Sequence, residues 1–390
     1  MSSIYTRIAS GLLFPLHEKL KGHDSVARLK ALEESQWWPL ERLKEAQVAR
    51  LRAFLQEIGA RVPYYRELFA AQGFDPATIK SVDELSRLPF LTKPVIRAQG
   101  DALKAVDHGP LARYNTGGSS GEPLIFYMGK SRKSHDVASK WRATRWWDVD
   151  IGDAEVVLWG SPIELGGQDR VKAVRDRLLR SWLLPAFEMS EANVLGMLRR
   201  ISELRPKMLF GYPSALAHLA GVASKHNIRL DNLGIKVAFV TSERLYDHQR
   251  ETISKAFNCP VANGYGARDA GFLAHECPSG SMHLSFEDII VETIDADGQP
   301  AKPGMPGEIV ITHMATADFP FVRYRTGDVG VLSEEPCACG RTLPRLKEIQ
   351  GRTTDFIVAR DGTVMHGLAL IYTVRDLVGV KKFKIVQHSR

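Results

Sequence analysis

The chain has 390 residues, 44% hydrophobic and 25% charged, which is the composition of a globular protein and not of a disordered or membrane-embedded one. Its formal net charge of +7 comes from Lys and Arg scattered along the sequence, so nucleic-acid binding gets little support and a phosphate-bearing small molecule fits as well. Four cysteines are too few for a disulfide scaffold, and the reduced cytoplasm is the expected location.

The length predicts one large domain and a smaller piece. The apolar run 8–16 is interrupted by Pro15 and lacks a small-residue cleavage site, so it is not read as a leader, and no stretch approaches the length of a membrane span. Residues 18–60 interleave charged side chains with Leu, Trp, Ala and Val at three- and four-residue spacings, the pattern of amphipathic helices acting as scaffold. The Leu88-Pro89-Phe90-Leu91-Thr92-Lys93-Pro94 segment reads as a rigid connector.

From there strand and helix signals alternate. Short apolar runs at 156–160, 208–211 and 236–240 predict strands, and 171–179, 191–204 and 214–225 predict the helices between them. Strands buried on both faces with helical crossovers define an α/β sheet whose functional loops leave the strand ends. After Gly280 the character changes. Strand runs at 288–294 and 307–312, separated by Asp295-Ala296-Asp297-Gly298 and Lys302-Pro303-Gly304, predict an antiparallel, hairpin-rich subdomain. The last residues, through Lys384-Ile385-Val386-Gln387, read as the middle of a strand, with more chain expected to follow.

Three segments carry chemistry. Thr116-Gly117-Gly118-Ser119-Ser120-Gly121 alternates glycine with hydroxyls, so its amides can approach an anion while the hydroxyls add hydrogen bonds to phosphate oxygens; the alternative is a surface linker. It is not a Walker loop, because no Gly-Lys-Ser/Thr ends it. In Tyr265-Gly266-Ala267-Arg268-Asp269 the glycine lets a flat ring lie close to backbone, and the acid can hold magnesium on phosphate. In Thr326-Gly327-Asp328 a carboxylate after a turn can accept both ribose hydroxyls. Alone, each of the last two is equally a plain turn.

In this order the three resemble the nucleotide-binding signatures of the adenylate-forming superfamily. Thr241-Ser242-Glu243 resembles its adenine-side turn, and Gly351-Arg352-Thr353-Thr354-Asp355 resembles the hinge before its mobile C-terminal domain. Val62-Pro63-Tyr64-Tyr65, Phe210-Gly211-Tyr212-Pro213-Ser214 and Cys339-Gly340-Arg341-Thr342 narrow the likeness to phenylacetate–coenzyme A ligases and CapK-like proteins, across nearly the whole chain. The resemblance implies a large adenylation domain over residues 1–352 and the start of a small α+β lid at 353–390. It implies that a carboxylic acid is activated with ATP and Mg²⁺ to an acyl-adenylate and passed to a thiol, with coenzyme A as the expected acceptor. An amine or sugar acceptor and a non-catalytic nucleotide-binding scaffold stay open, as does the oligomeric state, monomer or homodimer.

Residue by residue, it puts Thr116 through Gly121 on phosphates, with Thr116 and Ser119 catalytic. Ser242, Glu243, Tyr265, Gly266, Ala267 and Arg268 fall around the nucleotide, Asp328 on ribose, and Asp269 on magnesium where most of the superfamily has Glu. Arg352 and Asp355 form the hinge, Arg352 also serving catalysis. The superfamily's C-terminal catalytic Lys has no match, since Lys381, Lys382 and Lys384 come too soon after Asp355. Cys277, His283, Cys337 and Cys339 offer three thiolates and an imidazole suited to structural zinc, with His275 the competing imidazole and three unrelated thiols the alternative. For the acyl group, Tyr212 and Trp141 are the aromatic candidates, although large aromatics are commonly core. His135 and the loop 166–169 are weaker ones.

Overall fold

A computed structural model of the chain describes residues 3–116, 124–159, 170–186, 189–302, 304–352, 356–358 and 364–366. The opening is helical, as predicted. Helices α1 (Ile4–Ile8) and α2 (Phe14–Lys21) join through a π turn at Ala9–Leu13 and stop at Gly22, whose φ of 65° closes the end. They are followed by α3 (Ser25–Ser35), α4 (Leu40–Arg61), α5 (Pro63–Ala71) and α6 (Lys93–Gln99). In α4 the residues Leu43, Gln47, Leu51, Phe54, Leu55 and Ile58 are buried, which is the three-and-four spacing of a core-facing stripe. Pro63 begins α5, where its missing N–H would have had no helical partner.

A small ribbon pairs β1 (Ala112–Asn115) with β2 (Ile125–Met128) and leads into α7 (Lys130–Arg145). The βα units follow as β3 (Glu155–Trp159), α8 (Arg170–Leu178), β4 (Ser181–Pro185), α9 (Glu191–Leu204), β5 (Met208–Gly211), α10 (Pro213–Lys225), β6 (Val237–Thr241) and α11 (Asp247–Phe257). Next come β7 (Val261–Ala267), β8 (Gly271–Glu276), β9 (Met282–Leu284), β10 (Ile289–Ile294), β11 (Gly307–His313), β12 (Phe321–Ser333) and β13 (Arg345–Arg352), with β14 (Phe356–Val358) and β15 (Val364–His366) forming a separate hairpin.

Eleven strands make one sheet in the order β10-β11-β12-β13-β9-β8-β7-β6-β5-β3-β4. Pairing is parallel from β4 to β7 and antiparallel from β7 to β10. The hairpin-rich region is therefore not separate from the α/β part: β7 accepts a parallel neighbour on one edge and an antiparallel one on the other, so two local patterns share one sheet. The chain also reverses direction across the sheet at β3, which has β4 on one side and β5 on the other. Such switch points leave a crevice at the strand C-termini.

Two large clusters hold these layers together. Val156, Leu158, Leu209, Ala238 and Val240 from the parallel strands pack on Leu198, Ile201, Leu216, Leu219 and Ile253 from α9, α10 and α11. Each Val, Leu or Ile among them, fully buried, contributes about 1.5–3 kcal/mol in transfer terms. The antiparallel half packs Ile289, Ile309, Ile311, Phe321 and Tyr324 against Leu51, Leu55 and Ile58 of α4. The 88–94 connector is stitched to β12: Leu91 donates to Arg323 O and accepts from Arg325 N, both at 3.0 Å. Buried Arg323, in the left-handed region at φ 50°, donates to Leu88 O at 2.8 Å and pairs with Glu292 at 3.0 Å. This fixes the strand that carries Asp328.

Candidate active site

A cleft of about 1320 Å³ opens where β3, β5, β6 and β7 end, bounded on its other side by β12 and β13. Its position follows from topology, because the parallel strands present their C-termini beside the β3 switch point. At that point Trp159 stacks on Tyr212, ring centroids 4.6 Å apart and planes at 15°, with Phe210 and Phe239 stacked behind at 5.7 Å. Gly211 permits the close approach of β3 and β5, since a Cβ there would lie 2.4 Å from Leu158 O. One end of the cleft is thus a flat aromatic wall.

The polar end gathers residues distant in sequence. Tyr265 and Asp328, 63 positions apart, meet directly: the Tyr265 hydroxyl donates to Asp328 Oδ2 at 2.9 Å. Burial, reinforced by the Asp328 charge, holds the Tyr265 phenol well above its usual pKa, so it remains a neutral donor at physiological pH. Asp328 follows Gly327, at φ 80°, and its amide donates to Thr326 Oγ1 at 3.1 Å, a side-chain-braced turn. Its backbone pairs across the sheet with Arg352.

Ser242 leaves β6 at φ 70°, and Glu243 Oε2 accepts the Ser214 amide at 3.2 Å, tying this turn to the first turn of α10. Gly266 and Ala267 line the cleft, and Arg268 donates to Asn115 O at 3.2 Å. Asp269 also reaches the cleft, although it is mostly buried: Tyr324 donates to its Oδ2 at 2.6 Å and the Ala270 amide to its Oδ1 at 3.2 Å. Thr116 ends the β1 ribbon, donating through its amide to Leu124 O and accepting the Leu124 amide on Oγ1, both at 3.0 Å. It closes the base of the glycine-rich loop. Gly117, Gly118, Ser119, Ser120 and Gly121 lie outside the described residues, as do Asp355, the 166–169 loop and the three late lysines.

Trp141 is a correction. It does not line the cleft; it packs with Phe14, Leu29, Leu32, Ala138 and Ile151 between the helical opening and α7, the core position that a large aromatic on a helix face commonly takes. His135 is fully buried in the same helix and forms no part of the cleft wall.

Two residues passed over in the sequence organise the acid turn. Arg132, almost fully buried, donates to the backbone carbonyls of Asp269 and Arg268 at 3.3 Å each and to both oxygens of Asp136 at 3.0–3.1 Å. Burial opposes ionisation of Asp136, but the charges and hydrogen bonds of Arg132 and His135 together outweigh it and hold the carboxyl below its usual range. The signal was hidden because Lys130-Ser131-Arg132-Lys133-Ser134-His135-Asp136 looks like a solvated helix face.

The cysteine motif converges. Cys277 directly follows β8, His283 lies in β9, and Cys337 and Cys339 lie in the loop between β12 and β13; their ligand atoms all fall within 4.8 Å of one another. Cys277 and Cys337 sulfurs are 3.7 Å apart, close to the roughly 3.8 Å edge of a tetrahedron with 2.3 Å metal–sulfur bonds. His283 Nδ1 lies 2.9 Å from the Leu343 carbonyl, to which it donates, so Nε2 keeps its lone pair 3.2 Å from Cys339 Sγ. That is the tautomer a metal ligand needs. Burial pushes Cys277 up to about 12 and His283 down to about 4. His275 is not part of this cluster; it stacks on Phe272 at 5.5 Å.

No family model matches the chain. Protein CapK of Staphylococcus aureus is 25% identical over 335 residues, 85% of this chain and 73% of CapK. The phenylacetate-coenzyme A ligase of Thermus thermophilus is 26% identical over 331 residues, 83% of this chain and 73% of that protein. Among solved structures, 2-hydroxyisobutyryl-CoA ligase in an open conformation with 2-HIB-AMP and CoA superposes with a TM-score of 0.71, at 22% identity over 88% of this chain and 82% of that one. The chain shares the fold of 2-hydroxyisobutyryl-CoA ligase and is a distant homologue of the proteins named phenylacetate-coenzyme A ligase and CapK.

Proposed function

We propose that the protein activates a carboxylic acid with Mg·ATP and transfers the acyl group to a thiol, coenzyme A first among candidates. A carboxylate oxygen attacks the α-phosphorus, the bridge to the β-phosphate breaks and pyrophosphate leaves. The thiol sulfur then attacks the acyl carbon, the carbon–oxygen bond to AMP breaks, and the thiol proton passes to solvent or to a base. The observation that carries this reading is the Tyr265–Asp328 pair in the same cleft as the aromatic wall, in a chain related over four-fifths of its length to a phenylacetate-coenzyme A ligase.

In this reading Asp328 accepts ribose hydroxyls while Tyr265, Gly266, Ala267, Arg268, Ser242 and Glu243 frame the base. Thr116 and Ser119, with Gly117, Gly118, Ser120 and Gly121, hold phosphate oxygens. Asp269 meets magnesium on carboxylate lone pairs that Tyr324 and the Ala270 amide leave over; one carboxylate suffices, because Mg²⁺ keeps waters and phosphate oxygens as its other ligands. Bound there, the ion would supply charge neutralisation to the phosphates. Tyr212 faces the acyl group. Arg352 and Asp355 sit at the hinge of a lid beginning at 353, with Arg352 also meeting the reacting groups. The protein's own contribution is positioning and electrostatic stabilisation.

Cys277, His283, Cys337 and Cys339 would hold structural zinc, supported by their spacing and by the Nδ1–Leu343 bond. One equivalent of zinc by elemental analysis is the expected stoichiometry.

An amine or sugar hydroxyl as acceptor is the alternative to the thiol. Mass spectrometry of reactions with ATP, a panel of aryl and short-chain acids, and either coenzyme A, amines or sugars separates the two. Acyl-coenzyme A as product is expected. Esters or amides in its place would move the acceptor to the second reading, and AMP-free mixtures with every acid would remove the enzyme reading.

A further inference from the structure

The helical rod at the start of the chain buries one face and leaves the opposite one apolar. Thr6, Ala9, Phe14 and Glu18 turn inward, whereas Ile4, Ile8, Leu12, Leu16 and Leu20 form an outward ridge at four-residue intervals, with Ile4 79%, Leu12 62% and Leu20 79% exposed. Residues four apart lie along one helix face, and over 18 residues such a ridge runs for about 27 Å. It continues sideways. Tyr5 donates to Leu178 O at 2.7 Å, docking the end of α8 beside α1, and Leu178 and Val174 of α8 are exposed as well. Single exposed Leu residues need no explanation, but a contiguous ridge does.

Its charge is one-sided. The only acid in 4–21 is Glu18, which turns inward and is held by His17 at 2.9 Å, His23 at 3.1 Å and Ser25. The exposed bases beside the ridge are Arg7, Lys19, Lys21 and, on α8, Arg177. No helix among the described residues is long and apolar enough to cross a membrane. An apolar face rimmed by Lys and Arg suits a helix lying in the headgroup layer, its ridge roughly 5–10 Å deep. A second copy fits less well, because an isologous pairing would bring the same basic rims together.

We propose that the rod at 4–21, together with the end of α8, is a docking surface for an anionic lipid bilayer. The inference stands apart from the proposed chemistry, since none of these residues lines the cleft.

The test is flotation of the full chain with vesicles of phosphatidylcholine alone or with about a quarter phosphatidylglycerol. Binding to the anionic vesicles, weakened by salt, is expected; equal or absent binding to both overturns the proposal. The L12D/L16D double variant alters exposed positions only, so its melting should match the parent while vesicle binding falls by at least about ten-fold. K19E/K21E provides a second variant that leaves the ridge intact, and it should also lose anionic-vesicle binding. Light scattering supplies the other arm: a dimer that L12D/L16D converts to monomer, with no vesicle binding by the parent, would assign the face to a second copy instead.

Discussion

The Tyr265–Asp328 contact joins a neutral phenol to a carboxylate in a half-buried setting. Two hydroxyls of a ribose would give that carboxylate charge-assisted hydrogen bonds, each stronger than a neutral one. Asp328→Ala should weaken ATP binding by about ten- to a hundred-fold, on the order of 1.5–3 kcal/mol, with melting little changed because the residue ends a braced turn at the cleft edge. Calorimetric titration checks this, and unchanged ATP affinity would remove Asp328 from the site. Tyr265 and Asp328 were legible in the sequence because each adjoins a glycine inside a strand-to-turn pattern. Arg132 was not: a guanidinium buried against backbone carbonyls has the same sequence signature as one on a solvated helix. Trp141 misled for the converse reason, since an aromatic on a helix near a predicted loop carries no mark of which face it turns inward.

At the scale of elements, the cysteine cluster draws its side chains from three pieces of the sheet: the residue after β8, β9 and the β12–β13 loop. Structural zinc there should stabilise the antiparallel half, since a closed site contributes folding energy outright. Cys337→Ser, or prolonged chelation, should remove the metal and lower the melting temperature by several degrees, about 2–4 °C per kcal/mol for chains of 150–250 residues and less for a longer one. Protein that carries no metal as isolated, or whose melting temperature neither chelation nor Cys337→Ser lowers, would contradict the assignment. Individual elements were readable from periodicity: 191–204 coincides with α9, 208–211 with β5, and 307–312 with most of β11. Their assembly into one sheet was not, because strand order depends on which edges meet in space, and β7 gives no sign in its sequence of pairing parallel to β6 and antiparallel to β8.

The whole molecule is a mixed sheet whose parallel half makes a crevice and whose antiparallel half carries Asp328 to its edge. The function became readable only through the order of the glycine-rich loop, the Tyr-Gly-acid turn and the later Asp, since no single segment exceeded a plain turn. The three belong to the β1–β2 ribbon, to β7 with the turn after it, and to β12, elements far apart in sequence that border one cleft. The identity of the acid was not legible, because the Trp159–Tyr212 wall is assembled from two strands 53 residues apart (212 − 159) and its shape depends on their register. Adenylation is the claim on which the rest depends, and isotope exchange between pyrophosphate and ATP tests it directly. Exchange that requires both Mg²⁺ and a carboxylic acid, and that falls with Asp328→Ala, is the predicted result; ATP binding with no exchange for any acid would contradict the account.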